Sequence, residues 1–394
     1  MGLDIASVQG ALREAHLDGW LLYDFHGSNP ISAHIAGLTD GGHMTTRRWY
    51  YLIPAQGEPR GLVHAIERHN LDRLPGEKLV YAGRRELDEG LTRLLAGMRR
   101  VAMEYSPFCA IPYLSRVDAG TAEAIRAKGV EILSSGDLVQ QFEASWTRAQ
   151  LASHQTASAA LYRIKDRAFD RARRALHDGE RITEYALQQH MVRWFEEEGL
   201  VSDEAPVVAV GANAGNPHYL PSHDHSSVVT PDQVLLLDLW GKVTDPGAVF
   251  ADITWVGFTG SRVPDEAARA FDAIVRARDA AVALVQEAAL TGRELHGWEA
   301  DRAAREVLEQ SGYREHILHR TGHSLGESVH GNGVHLDDYE THDDRRILPG
   351  TGFTVEPGLY FDTFGVRTEI NVFRGDRDAT VSGPRQMALL TLGI

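Results

Sequence analysis

Cysteine is nearly absent: the 394 residues contain one, Cys109. A single thiol excludes an internal disulfide and a thiolate metal cluster, and it suits a reducing compartment. Cys109 is expected to be a small buried apolar residue. Long apolar runs are missing too, and none approaches the ~18 residues that cross a bilayer. The opening MGLDIASVQGALREAHLDGW has no basic stretch followed by an apolar one, so no signal peptide is expected. It begins Met-Gly but carries Ala6 where myristoylation needs Ser or Thr. The expected location is cytoplasmic. Positive charge is also short, with 40 Lys and Arg against 55 Asp and Glu and a net charge of −15. That balance argues against a general binder of nucleic acid or anionic membrane, both of which require a basic footprint. No internal repeat or low-complexity linker is evident.

What remains is ordinary globular material, 43% apolar and 24% charged, long enough for two or three domains. The first part alternates strand-like and helix-like segments. Gly19 to Tyr23 reads as a buried strand, and 50–53 and 61–63 flank a turn as a hairpin. Further strands are expected at 78–81, 101–104 and 130–133, with helices at 86–98 and 117–128. From Thr147 the pattern becomes a long helix ending near Gly179. A second helix follows from Thr183, its N-cap, to Gly199. Strands are then expected at 206–210, 234–239 and 248–256, and helices at 265–290 and 295–312. The expected organisation is an α+β chain, with an α/β domain over 1–146 and a second domain over 147–394.

Chemistry-bearing residues cluster in the last third. Asp238 ends the run Val234-Leu235-Leu236-Leu237, where a carboxylate is either a ligand or a buried charge in need of a partner. Asp252 follows fourteen residues later, beyond the turn Asp245-Pro246-Gly247. An antiparallel pair joined by that turn places both carboxylates on one face; alone, the two also read as ordinary strand-end aspartates. His319, His323 and His330 fall within twelve positions, interleaved with glycines that permit close backbone approach. One would ligate a metal, while the others donate to a substrate carbonyl or a tetrahedral intermediate. Glu356 in TVEPG and Glu369 in GVRTE complete the set. Four carboxylates and one imidazole suit hard or borderline divalent ions such as Mn²⁺, Co²⁺ or Zn²⁺. They balance two such cations and leave room for a hydroxide nucleophile, which is the basis for expecting a hydrolase.

A rival reading lies in the same stretch. Gly322-His323-Ser324-Leu325-Gly326 matches G-x-S-x-G, the nucleophile elbow of serine hydrolases, with Asp337, Glu340 and His342 downstream. Those partners follow the serine too closely for strand–helix alternation, and 317–321 makes a poor buried strand.

The ordered series Asp, Asp, His, Glu, Glu in these frames resembles the pita-bread metallopeptidases, a group that includes aminopeptidase P, prolidase and methionine aminopeptidase. The resemblance covers 147–394. Residues 1–146 resemble, more weakly, the creatinase-like N-terminal domain of aminopeptidase P and prolidase. The resemblance implies that Asp252 and Glu369 bridge two metals, that Asp238 chelates one, and that His323 and Glu356 chelate the other. It implies that Glu356 also carries a proton to the leaving nitrogen. His218, in GNPHY, matches a substrate-binding histidine, His319 and His330 match further active-site histidines, and Arg367 matches the arginine before the last glutamate. His223 and His225 have no counterpart and are expected at the surface.

Three departures bear on that likeness. The Asp238–Asp252 interval is longer than usual, Ile370 stands where many relatives carry a second acid, and 341–346 differs from an arginine-bearing stretch near the substrate carboxylate. His342, Arg345 or Arg346 is the possible substitute there. The function that the resemblance implies is hydrolysis of Xaa-Pro dipeptides, with manganese first among the metals, and it implies a homodimer as the assembly. Aminopeptidase P activity on longer Xaa-Pro peptides is the alternative, followed by other metal-dependent chemistry on this fold or a silent binding module.

Overall fold

The computed structural model describes residues 3–39 and 44–393. The chain forms two compact units, Met1–Glu143 and Ala144–Ile394.

In the first unit, strands β1 (Gly19–Asp24), β2 (Trp49–Pro54), β3 (Arg60–His64), β4 (Glu77–Tyr81), β5 (Arg100–Met103) and β6 (Glu131–Ser134) form one sheet in the order β4-β3-β2-β1-β5-β6. β1–β2 and β2–β3 are antiparallel, and the outer pairs are parallel. Helices α1 (Ile5–Glu14), α2 (Pro30–Ile35), α3 (Arg84–Leu94), α4 (Ala119–Arg126) and α5 (Gly136–Val139) accompany it. β1 and β2 are buried along their whole length, since apolar clusters cover both faces of the sheet. Within this unit sits a fully buried acid, Glu104. Its Oε1 accepts from Trp20 Nε1 (2.9 Å) and Ser135 Oγ (3.0 Å), and its Oε2 accepts from Asn29 Nδ2 (2.8 Å) and Ser32 Oγ (2.5 Å).

The second unit begins with α6 (Arg148–His177), capped by Thr147 and Gln150 in a reciprocal box. α7 (Glu184–Glu197) follows, with Thr183 as its N-cap. Strands β7 (Leu200–Val201) and β8 (Val207–Val210) both pair with the long β9 (Val234–Val243), which pairs with β10 (Ala251–Phe258). α8 (Asp265–Thr291) and α9 (Gly297–Gln310) pack together, and then come β11 (Ser324–Leu325) and β12 (Thr351–Val355). β13 (Gly358–Tyr360) and β14 (Gly365–Arg367) form a hairpin, followed by β15 (Ile370–Arg374), β16 (Ala379–Ser382) and β17 (Leu390–Thr391).

Alternation along β9 and β10 explains why apolar runs carry acids. Leu235, Leu237 and Leu239, with Ala251 and Ile253, face one way and pack with Leu161, Ala168 and Phe169 of α6. Val234, Leu236, Val256 and Phe258 face the other way, toward the cluster built on α8. Asp238, Trp240, Asp252 and Thr254 share that second face by parity. Gly247, at φ +76°, makes the turn that reverses the chain between the strands.

One expectation fails here, and the rival reading falls with it. Cys109 is exposed, in a short 3₁₀ turn where it and Phe108 both have positive φ. Ser324 lies on no exposed elbow. It is buried in the two-residue strand β11, paired with β12, and its hydroxyl accepts from Gly333 N (3.0 Å). Among the described residues no helix follows it directly, so the serine-hydrolase reading lapses.

Candidate metal centre

The register of β9 and β10 sets the site. Thr254 lies opposite Asp238, and Asp252 lies opposite Trp240, so the two aspartates sit on one face, diagonally across the ladder. Asn371 on β15 clamps the backbone of Asp252. Its Oδ1 accepts from Asp252 N (3.0 Å) and its amide donates to Asp252 O. Glu369, in the step between β14 and β15, donates its backbone N–H to Thr254 O (3.2 Å). Glu356, between β12 and β13, is anchored by its N–H to Thr321 O (2.7 Å).

His323 arrives from the opposite side. A Cβ at Gly322 would lie 2.1 Å from Thr354 O, so only glycine lets this loop press against β12. There, His323 N donates to Thr354 Oγ1 (2.9 Å), and Thr354 N donates to His323 O (2.8 Å). Asp301 of α9 steadies the loop by accepting from Thr321 N (2.9 Å).

One ligand atom each from Asp252, His323 and Glu369 lies within 4.8 Å of the others, and all three residues are buried. His323 Nε2 is 3.6 Å from Asp252 Oδ2 and 3.5 Å from Glu356 Oε1. His323 Nδ1 faces Ser324 O at 3.1 Å. A carbonyl only accepts, so Nδ1 carries the proton and Nε2 presents its lone pair to the two carboxylates. Burial pushes the imidazole pKa down, which keeps it neutral. A lone pair facing carboxylates is repulsive unless a cation stands between them.

The carboxylates say the same. Asp252 Oδ1 and Glu369 Oε1 are buried without a hydrogen-bond partner among the described residues, a costly state for a charged oxygen. Burial, followed by the negative charge of Asp238 and Glu356, drives the Asp252 pKa well up. Burial and Asp252 do likewise to Glu369. Burial raises the Glu356 pKa, but positive charge nearby, Arg367 and Arg320 included, outweighs it and holds the group below its usual value. The donor set and its two orphaned oxygens therefore fit divalent cations.

Asp238 is placed differently. Its Oδ1 accepts from Thr254 Oγ1 (3.1 Å), and its Oδ2 is paired with Arg367 Nη2. Thr254 Oγ1 also lies 2.8 Å from Glu369 Oε2 and accepts from Arg367 Nε (3.0 Å). Arg367 Nη1 donates to Tyr360 Oη (3.1 Å), which lies 2.7 Å from His319 Nε2. His319 Nδ1 donates to Arg320 O (2.6 Å), so both His319 nitrogens are engaged within the protein. His330 stacks edge-on against His323 at 4.4 Å between centroids, and its side chain has no hydrogen-bond partner among the described residues. It is exposed by surface area, yet burial around its base, with His323 and Arg320, depresses its pKa to about 4.

His218 is exposed, and its side chain makes no contact with the cluster among the described residues. His223 and His225 are exposed as expected. The three suggested replacements for a carboxylate-binding arginine are occupied elsewhere. Arg345 is buried in a two-pronged pair with Asp343, His342 bonds Asp338 and stacks on Trp298, and Arg346 pairs with Glu294.

Sequence reasoning missed Thr254, Tyr360, Asn371 and Asp301. Thr254 was reachable, lying two residues from Asp252 on a strand and hence on the same face. The other three depend on long-range approach and left no local signal.

The family described as metallopeptidase family M24 matches residues 158–373. An Xaa-Pro dipeptidase of Lactobacillus helveticus is 32% identical over 171 residues, covering 41% of this chain and 40% of that protein. A probable dipeptidase PepE of Mycobacterium tuberculosis is 30% identical over 166 residues, covering 41% and 40%. These matches span about two fifths of the relatives' length. Among solved structures, dipeptidase PepE from Mycobacterium ulcerans superposes with TM-score 0.70 at 22% identity, covering 99% of this chain and 97% of that one. An Xaa-Pro dipeptidase from Bacillus anthracis gives 0.61 at 20%, covering 98% of each. An X-Pro aminopeptidase from Thermotoga maritima gives 0.59 at 20%, covering 98% and 99%. These likenesses establish the fold, an N-terminal α/β domain followed by the pita-bread architecture.

Proposed function

We propose, from the premise that this chain belongs to metallopeptidase family M24, that it hydrolyses Xaa-Pro peptide bonds, with Xaa-Pro dipeptides as the first substrate class. The observation that carries the reading is the pair of orphaned buried oxygens on Asp252 and Glu369 beside the Nε2 lone pair of His323. Asp238, Asp252, His323, Glu356 and Glu369 would hold two divalent ions, Mn²⁺ first among them, with Co²⁺ or Zn²⁺ as alternatives. When bound, the ions would supply Lewis acidity and a nucleophile drawn from water at neutral pH.

The protein's own groups supply the rest. Glu356, whose pKa is held below its usual value by Arg367 and Arg320 among its neighbours, would accept a proton at Oε1 and pass it to the leaving proline nitrogen. An Xaa-Pro bond is a tertiary amide with no N–H, so the site needs no acceptor for one. His330, whose side-chain nitrogens have no hydrogen-bond partner among the described residues, would donate to a polarised carbonyl oxygen. Tyr360 and Arg367 orient Asp238 and His319 from behind. His218 would close on substrate from its loop.

The names of the relatives support the substrate class, and both dipeptidases and aminopeptidases occur among them. Aminopeptidase P activity is therefore the second reading. Among the described residues no helix is long and apolar enough to cross a membrane. We propose a cytoplasmic homodimer, to be tested by sedimentation and fractionation. The decisive assay is proline release from an Xaa-Pro dipeptide and amino-acid release from an Xaa-Pro tripeptide, with Mn²⁺, Co²⁺ or Zn²⁺ added. Dipeptide cleavage alone is the expected result. Cleavage of the tripeptide as well favours the aminopeptidase, and turnover of neither overturns the substrate assignment.

A further inference from the structure

β9 does not end at Asp238. It runs on to Val243, and by strand parity Lys242 shares the inner face with Asp238 and Trp240. Residues 244–250 then turn the chain back into β10. This extension meets the loop from Gly326 to Gly331, which carries His330. Phe250 N donates to Gly326 O (3.0 Å). Lys242 Nζ donates to Glu327 O (2.5 Å) and lies 5.0 Å from the centre of the Phe250 ring. Val329 packs into the cluster of Val249, Phe250 and Leu325. The loop closes on itself through Gly326 N to Ser328 O (3.1 Å) and Gly331 N to Ser324 O (2.8 Å). A Cβ at Gly331 would lie 2.8 Å from Ser324 Oγ, so glycine permits that closure.

The tie to Glu327 O differs from the rest, because a charged side chain makes it. An ammonium on a peptide carbonyl forms a charge-assisted bond, stronger than a bond between two backbone groups. Lys242 forms no ion pair among the described residues, so its charge is directed at this carbonyl. The consequence lies further along the loop. His330 has no side-chain hydrogen bond among the described residues to fix its ring, which stacks edge-on against His323 at 4.4 Å. Where the imidazole stands is therefore set by the backbone that carries it. Val329 pegs that backbone on its apolar side, and Lys242 pegs it on its polar side. A donor to a developing charge must be placed closely, and an error of about 1 Å costs on the order of 10²-fold in rate.

We propose that Lys242 is a positioning residue: it pins the 326–331 loop so that His330 stands where a substrate carbonyl would meet it. The kinetic consequence rests on the peptidase reading, while a spectroscopic readout does not require turnover. The variants are Lys242→Met, which keeps an aliphatic stem over Phe250 but has no donor, and Lys242→Arg, which restores one. In Zn²⁺-loaded protein, the ring Cε1–H resonance of His330 is identified by its loss in His330→Gln. It should shift or split in Lys242→Met and return in Lys242→Arg, with the His154 resonance unmoved. On an Xaa-Pro dipeptide, kcat should fall about 10-fold in Lys242→Met, with KM within about twofold and metal stoichiometry at the parent value. Lys242→Arg should recover kcat to within about threefold of the parent. An unmoved His330 resonance in Lys242→Met overturns the proposal. So does a loss of kcat that arginine does not restore, or one accompanied by loss of metal. A parent protein that turns over no Xaa-Pro substrate would sink the peptidase reading alone, since the resonance still decides how His330 is held.

Discussion

Each unit of this protein buries acid, and the two do so in opposite ways. Glu104 in the first unit has four neutral donors, two for each oxygen, so every lone-pair direction of consequence is met. Asp252 and Glu369 in the second unit each keep one oxygen with no hydrogen-bond partner among the described residues. A buried carboxylate that is fully hydrogen-bonded is part of the scaffold. One left incomplete, with more acids and an imidazole lone pair converging on it, is a place built for a cation. Burial is shared by both, so burial alone does not mark function; unmet valence does.

The largest expected effect follows from removing an incomplete acid. Glu369→Ala should lower Xaa-Pro hydrolysis by more than about 10³-fold, roughly 4 kcal/mol of transition-state stabilisation. Metal content, measured by elemental analysis, should fall with it. Glu104→Ala should leave the metal stoichiometry at the wild-type value. If the two variants lost metal alike, the distinction between the clusters would collapse.

Stability of metal-stripped protein sharpens the contrast, because the two sites should respond with opposite signs. Glu104→Gln keeps the shape but turns one accepting oxygen into a donor facing donors, at a cost of about 2–4 kcal/mol. Glu369→Gln removes a charge that burial and Asp252 oppose, so the stripped protein should gain about 1 kcal/mol. Adding metal should then stabilise the parent protein more than the Glu369→Gln variant. Denaturant melts with and without chelator decide it, and a loss of stability in stripped Glu369→Gln would contradict the account.

His154 asks whether the contrast belongs to partners or to units. It lies in the second unit yet resembles Glu104, being fully buried with Nδ1 against Phe250 O (2.8 Å) and Nε2 against Ser382 Oγ (2.8 Å). Burial lowers its pKa to about 4 from the usual 6.5. The folded protein therefore binds fewer protons than the unfolded chain between those values, and the stability it contributes is full above pH 6.5 and lost as pH falls toward 4. The loss should amount to about 2–3 kcal/mol. In His154→Gln, compared with and without chelator, the pH slope over this window should flatten whatever the metal content. A slope that vanished only on metal removal would tie His154 to the site instead.

The sequence carried the fold well where local rules decide. The apolar run ending at Asp238 predicted a strand over 234–239, and Thr147 and Thr183 predicted helix starts. Its strand estimate for β9 stopped at Leu239, whereas the strand runs to Val243, because Trp240 and Gly241 pair with Asp252 and Ala251 of β10, and Lys242 and Val243 pair with β7. Cys109 misled because composition speaks for the average cysteine, and this one sits on a strained surface turn. At the site, the acids and His323 were legible as an ordered series of unusual residues in strand-like frames. What they touch was not. The engagement of Asp238 by Arg367, and the closure of His319 by Tyr360 and a carbonyl, depend on residues brought together across several strands and a loop.

Tyr360 offers the finest test, because it lies outside the ligand set yet bridges two of its supports. Its hydroxyl accepts from Arg367 Nη1 and, since His319 Nδ1 is already the donor to Arg320 O, must itself donate to His319 Nε2. Burial raises its pKa to about 12, so it remains a neutral donor across the working pH range. Tyr360→Phe removes one oxygen and strands a guanidinium N–H and an imidazole nitrogen, without touching any carboxylate. Metal stoichiometry should therefore hold at the parent value while kcat/KM falls by about 10–30-fold, roughly 1.4–2 kcal/mol. The loss should appear in kcat more than in KM if the hydroxyl acts by orienting Asp238 and His319. A variant that instead lost metal would place Tyr360 among the groups that build the cation site, and the line between completed and incomplete acids would have to be drawn through Asp238.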